Sequence, residues 1–203
     1  LLSGLLLSPA CSGTQGESEP PNPDSNTYRL SVGVGLIRNV YVTRLDRLVA
    51  ATAQLKTAAD NGLALAQAEG TFEPDTLQTQ WLAVMALVQE LEVMHVGPGA
   101  NALTRKGGES LRDTLYSWPL TNACRVDQVL VSKKYAEDGF RDRVMANVYG
   151  LDTLEQLLFR PHDEHTCPPQ LPIETEGQWD DLGVEGRALA RAEYSAVVAK
   201  ALD

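Results

Sequence analysis

Residues 73–95 read EPDTLQTQWLAVMALVQELEVMH and carry the clearest structural pattern in the chain. Pro74 and Asp75 suit the first turn of a helix, because proline needs no amide partner there and a carboxylate stabilises the positive end of the helix dipole. The residues that follow at alternating spacings of four and three are Leu77, Trp81, Val84, Val88, Leu91 and His95. This period predicts one amphipathic helix that ends before Gly97-Pro98-Gly99.

The segments on either side of this helix show the same helical period. A long helix is predicted over about residues 27–69, ended by Gly70, with a stripe formed by Leu30, Val34, Ile37, Tyr41, Leu45, Leu48 and Leu55. Further helices are predicted over about 124–135, 137–159 and 180–203, with a proline-rich linker loop at 161–179. Since no alternating strand pattern occurs, we expect an all-α bundle of long antiparallel helices over 27–160. The last helix has no stop signal, so residues 180–203 are predicted to begin a second bundle.

The first eleven residues are typical of the end of a lipoprotein signal peptide. Residues 1–7 are mostly leucine, and the small residue Ala10 directly precedes Cys11. We expect cleavage before Cys11 and acylation of its thiol, although leucine stands four positions before the cysteine instead of the usual three. An ordinary secretory signal with an incidental cysteine is the alternative. Residues 12–26 are polar and rich in Ser, Gly and Pro, which predicts a flexible tether.

Composition and cysteine content narrow the classes of function. The net charge is −10 and no cluster of basic residues is present, which argues against nucleic-acid partners. An exported chain meets an oxidising compartment, so Cys124 and Cys167 are predicted to form a disulfide, with a metal pair or two free thiols as alternatives. In residues 118–124, which lead up to the first of these cysteines, Asn122 can cap a helix and Trp118 is expected in the core. Sequence signatures of a phosphate-binding loop, a zincin and a serine hydrolase are absent.

Two carboxylates form the most suggestive candidate site. Asp152 and Glu155 lie three residues apart, so that on a helix they project from neighbouring turns of one face and could chelate a hard cation. Two ligands do not make a metal site, and the predicted second helix offers further ligands in Glu90, Glu92 and His95.

Other interpretations of these residues stay open. Asp152 and Glu155 could be solvated or paired with Arg141 or Arg143, and His95 could be a hydrogen-bonded core residue. The other two histidines lie in the segment 162–167 of the proline-rich loop, where a solvated loop is expected in preference to a metal site.

The segment from Gly150 to Phe159 resembles a motif of the imelysin-like family, Gly-x-His-x-x-Glu followed by apolar and aromatic residues. Gly150 and Glu155 match this motif, and Asp152 occupies the position of its histidine. Trp81 with downstream acidic residues and Gly97-Pro98 is similar to the other recurring stretch of that family. Residues 118–128 and 166–168 resemble its predicted-lipoprotein branch. The resemblance spans about residues 30–203.

This resemblance implies a fold, a location and a function. Imelysin-like proteins are envelope proteins with two duplicated helical bundles, linked to iron acquisition and named for a peptidase activity. It implies a divalent metal or iron at Asp152 and Glu155, with harder oxygen ligation than the family's histidine provides. Asp152 replaces the histidine of the motif, which could act as a general base near neutral pH. We therefore expect this chain to bind a ligand and not to catalyse a reaction. We expect a chain anchored by Cys11 on the periplasmic side of the outer membrane, with envelope iron-uptake proteins as partners. A metallopeptidase and a metal-free structural or interaction bundle are the alternatives.

Overall fold

The computed structural model describes residues 23–117 and 119–203. Cys11, most of the predicted tether at 12–26 and Trp118 therefore lie outside the described residues. Within them all regular secondary structure is helical, with no β-strand, which confirms the all-α prediction. None of the described helices combines the length and the apolar character that crossing a membrane requires.

One continuous helix runs from Pro23 to Glu69 and is the longest helix in the described part of the chain. It consists of α1 (Pro23–Leu36), a π-helical stretch (Ile37–Val42) and α2 (Thr43–Glu69). The other α-helices are α3 (Asp75–Glu92), α4 (Leu111–Leu115), α5 (Ala123–Ser132), α6 (Phe140–Arg143), α7 (Leu151–Phe159), α8 (Pro172–Thr175), α9 (Gln178–Asp181) and α10 (Gly183–Leu202). Single 3₁₀ turns occur at Gly97–Gly99, Lys134–Ala136 and Ala146–Val148.

The helices α2 and α3 form an antiparallel hairpin, as the positions of Gly70 and Pro74 predict. Gly70 adopts the left-handed conformation with φ 72°, and its amide donates to the carbonyl oxygen of Ala66 at 3.0 Å. This is a standard way to end a helix, because glycine alone has no Cβ to clash there. The predicted apolar stripe of α3 is buried from Leu77 to Leu91.

The core lies where α2 packs between α3 and α10, with α5 and α7 closing the other side. Small residues of α10, among them Ala190, Ala192 and Ala199, are buried and let this helix approach α2 closely. The buried residues of α10 belong to the same apolar cluster as those of α2 and α3. Residues 183–202 therefore share the core of the first bundle, and residue 180 does not separate two cores. A second bundle stays a prediction.

The disulfide predicted between Cys124 and Cys167 is present. It joins the first turn of α5 to the proline-rich loop, 43 residues further along the chain. Asn122 caps α5 as expected, since its Oδ1 accepts a hydrogen bond of 3.0 Å from the amide of Arg125. The loop is not structureless, because it contains the short helices α8 and α9.

Two predicted helix boundaries are wrong. The continuous helix expected over 137–159 is interrupted between Arg143 and Leu151, where Val144 and Gly150 are extended. Phe140 and Val148, which lie on either side of Val144, are both buried. Helix α3 ends at Glu92, so His95 lies beyond it and is exposed instead of occupying the apolar face.

Candidate functional site

Asp152 is the second residue of α7 and is completely buried. Its position in the first turn places a carboxyl group beside the positive end of the helix dipole. Oδ2 accepts a hydrogen bond of 2.6 Å from the hydroxyl of Ser117 and one of 3.3 Å from the hydroxyl of Thr121. Both donors come from the segment between α4 and α5, so tertiary packing supplies the partners of this side chain.

The second carboxyl oxygen of Asp152 has no hydrogen-bond partner within 23–117 and 119–203. Because a buried polar atom without a partner costs free energy, such atoms are uncommon in folded proteins. Oδ1 is therefore a fixed, enclosed acceptor that no described donor satisfies.

Gly150 explains how this carboxyl can turn back over the start of α7. A methyl group placed on Gly150 would lie 2.6 Å from Oδ1 of Asp152 and 3.0 Å from the carbonyl oxygen of Leu115. The carbonyl oxygen of Ala146 would lie 3.3 Å from the same point. Three oxygen atoms thus converge on the surface of Gly150, and a larger residue at this position would displace them.

Glu155 lies one turn further along α7 and is half-buried. Its Oε2 accepts a hydrogen bond of 3.4 Å from the hydroxyl of Tyr116. Burial raises the pKa of Glu155, the hydrogen bond from Tyr116 lowers it, and the nearby Asp152 raises it again. Burial also raises the pKa of Tyr116, to which the charges of Glu155, Asp152 and Glu92 add.

Helix α3 holds α7 in position from both ends. The indole of Trp81 donates a hydrogen bond of 2.8 Å to the carbonyl oxygen of Leu151, and the amide of Gln78 donates one of 2.8 Å to that of Leu158. The ring of Phe159 packs edge-on against Trp81 at 5.1 Å between centroids. These contacts fix the direction in which Asp152 and Glu155 point.

The other predicted ligands are not assembled around this pair. Glu90 is exposed and forms an ion pair with Arg44, and His95 is exposed beyond the end of α3. Glu92 forms an ion pair of 3.0 Å with Arg112. No group of three His, Cys, Asp or Glu side chains placed to hold a metal ion occurs in the described part of the chain. Any cation at Asp152 and Glu155 would thus need hydroxyl, carbonyl or water oxygens as further ligands.

Asp152 is buried and Glu155 half-buried, and the predicted alternative of pairing with Arg141 or Arg143 does not occur among the described residues. Arg141 donates to the carbonyl oxygen of Ala201, and Arg143 forms an ion pair with Glu137, so neither arginine neutralises Asp152 or Glu155. In the proline-rich loop, His165 bonds Glu174 at 2.8 Å and His162 stacks on Phe72. His165 thus contacts its own loop, whereas His162 contacts the segment between α2 and α3.

The sequence did not predict three hydrogen-bond partners of the two carboxyl groups, namely Tyr116, Ser117 and Thr121. They lie in a segment without helical periodicity, and short hydroxyl side chains occur in every kind of loop. Their separation from Asp152 by more than thirty residues leaves no local signal that could have linked them.

The comparisons with known proteins leave the family open. The chain matches no protein-family model, and no curated protein or solved structure is significantly similar to it. The imelysin-like resemblance therefore stays a prediction. The arrangement itself offers two carboxyl groups and several neutral oxygens, a donor set suited to a hard cation.

Proposed function

We propose that this chain is an envelope lipoprotein of the imelysin-like type that binds a metal ion in bacterial iron uptake. The observation that carries the proposal is the buried, unpaired Oδ1 of Asp152, one helical turn from Glu155. A buried acceptor without a donor is satisfied when a cation binds it. The oxygen donors of the two carboxyl groups favour a hard ion such as Fe³⁺, Mg²⁺ or Ca²⁺ over one that prefers thiolate.

Asp152 and Glu155 would hold the ion in this proposal. Its positive charge would offset the burial of both carboxyl groups, which otherwise disfavours their charged forms. Ser117 and Thr121 orient the carboxyl of Asp152, and Tyr116 orients that of Glu155. Glu90 and His95 have no part in it, because Glu90 is exposed and paired with Arg44, and His95 is exposed beyond the end of α3. We propose binding instead of peptide cleavage, since no imidazole accompanies the two carboxyl groups.

Calorimetric titration of the full chain with Fe²⁺ under anaerobic conditions, Fe³⁺-citrate, Mg²⁺ and Ca²⁺ tests the site. We expect one ion per chain, and at least tenfold weaker binding by Glu155→Gln, which keeps the size and the hydrogen bond of the side chain. Asp152→Asn should abolish binding, with circular dichroism to verify folding. The matched control is Glu69→Gln, which alters an exposed carboxylate at the end of α2. Equal binding by Glu155→Gln and the unaltered chain would exclude Glu155 as a ligand, and no binding by the unaltered chain would identify the bundle as metal-free.

The anchor requires a separate experiment, because Cys11 lies outside the described residues. In a bacterial host that receives the complete reading frame, a clickable fatty acid should label the unaltered protein and leave Cys11→Ala unlabelled. Labelling of both forms, or of neither, would contradict lipidation at Cys11.

A further inference from the structure

An apolar cleft of about 450 Å³ opens between α2, α3, α4 and the carboxyl end of α10. Its walls are largely aliphatic and include Leu45, Leu48, Val88, Leu91, Leu115 and Leu202. Pockets that hold small organic molecules fall in the range of about 300–1,000 Å³ and have this mostly apolar character. Neither Asp152 nor Glu155 lines the cleft, so it is separate from the proposed metal site.

The charged side chains that line the cleft have an excess of positive charge. Glu92 and Arg112 line it together and form an ion pair of 3.0 Å, so that their charges offset each other. Arg141 also lines the cleft and has no carboxylate partner among the described residues. One of its Nη atoms donates to the carbonyl oxygen of Ala201 at 3.3 Å, and the guanidinium lies 5.8 Å from the ring centroid of Tyr149.

The guanidinium of Arg141 can therefore accept an anion. A guanidinium carries five N–H donors, and a single hydrogen bond to Ala201 leaves most of them for another acceptor. Contact with Tyr149 restrains the group at the edge of the cleft. The exposed imidazole of His95, which has no hydrogen-bond partner in the described ranges, lines the same cleft.

We propose that this cleft binds a small apolar molecule that ends in a carboxylate. The carboxylate would bond to Arg141, where guanidinium and carboxylate form paired, charge-assisted hydrogen bonds. The apolar body would lie against the leucines and Val88, which removes its surface from water. A positively charged ligand lacks a partner here, because the one carboxylate that lines the cleft is already bound to Arg112.

Three probes of one chain length separate the contributions of charge and apolar contact. We suggest titrating the full chain carrying Cys11→Ala, without detergent, with dodecanoate, 1-dodecanol and dodecyltrimethylammonium below their micelle concentrations. Displacement of the fluorescent anion 1-anilinonaphthalene-8-sulfonate reports binding. Dodecanoate should bind most tightly and dodecyltrimethylammonium least. Arg141→Gln should weaken dodecanoate binding about tenfold or more, and leave 1-dodecanol unchanged.

Two further variants make the outcome decisive. Leu48→Trp fills the cleft from its partly exposed wall and should abolish binding of dodecanoate and 1-dodecanol alike. Arg143→Gln is the matched control, because this exposed arginine lies two residues away and outside the cleft. Equal affinity of dodecanoate for Arg141→Gln and the unaltered chain would overturn the proposal, as would self-association that Leu48→Trp disrupts. Glu155→Gln should leave dodecanoate binding intact, which keeps this test distinct from that of the metal site.

Discussion

The hydroxyl of Ser117 donates a hydrogen bond of 2.6 Å to Oδ2 of Asp152, and both side chains are buried. This contact joins residues 35 apart in sequence and determines which oxygen of the carboxyl stays unpaired. The candidate site therefore depends on the irregular segment between α4 and α5 as much as on α7.

Ser117→Ala should lower the free energy of unfolding by about 2 kcal/mol, because the buried carboxyl then keeps only the longer contact from Thr121. Urea denaturation followed by circular dichroism measures the loss. Ser132→Ala is the control, since its exposed hydroxyl bonds only to carbonyl oxygens of its own helix. An equal loss of unfolding free energy in both variants would show that the Ser117–Asp152 hydrogen bond stabilises the fold no more than an exposed serine hydroxyl does.

Gly150→Ala should be destabilising by about 1–3 kcal/mol, as overpacking in a closed site usually is. Its Cβ would lie 2.6 Å from Oδ1 of Asp152 and 3.0 Å from a backbone carbonyl oxygen, which cannot move aside easily. Gly186→Ala in α10 provides the opposite case, because the nearest atom is an ordinary 3.5 Å away and alanine favours a helix. Comparable urea midpoints for the two variants would contradict the close approach at Gly150.

Glu155→Gln should stabilise the metal-free protein at pH 7 and have little effect near pH 4. A carboxyl whose pKa is raised on folding favours the folded state in acid, and this stability is lost as the pH rises from the unfolded pKa of about 4.5 through the folded value. Glutamine carries no charge and removes that loss. Denaturation at both pH values, with chelator present, measures the effect. If Glu155→Gln were less stable than the unaltered chain at pH 7, burial would not govern the pKa of Glu155.

Loss of the disulfide should cost about 4 kcal/mol by the chain-entropy estimate for a closed loop of this length. The bond spans 43 residues and ties the start of α5 to the proline-rich loop. The double variant Cys124→Ala, Cys167→Ala in a Cys11→Ala background should show a correspondingly lower urea midpoint. Reduction of the Cys11→Ala chain should have the same effect. Reaction of two thiols per folded, unreduced chain with a thiol reagent would contradict the pairing.

Several helices were predictable because their determinants are local. Gly70 ends the long helix through its left-handed conformation, and the stripe from Leu77 to Leu91 is buried along α3. The pairing of Cys124 with Cys167 followed from the oxidising compartment that the amino terminus indicates. The two helix features depend on a residue type and its near neighbours, whereas the disulfide joins residues 43 apart in sequence.

The predictions that failed depended on distant contacts. The helix expected over 137–159 is interrupted between Arg143 and Leu151, and the extended Gly150 packs against the carbonyl oxygen of Leu115 at the distant end of α4. His95 continued the period of α3 in sequence, yet the helix ends at Glu92, where the ion pair with Arg112 forms.

The sequence by itself determined the helical class, the ends of the main hairpin and the spacing that sets Asp152 and Glu155 on one face of a helix. Only the tertiary structure decided that Asp152 is buried, that Ser117 and Thr121 bind one of its oxygens and that the other stays unpaired. It also placed α10 in the same core as α2. The physical reason is that helix periodicity arises from contacts within a few residues, whereas desolvation and hydrogen bonding of a buried group depend on which distant segments pack around it.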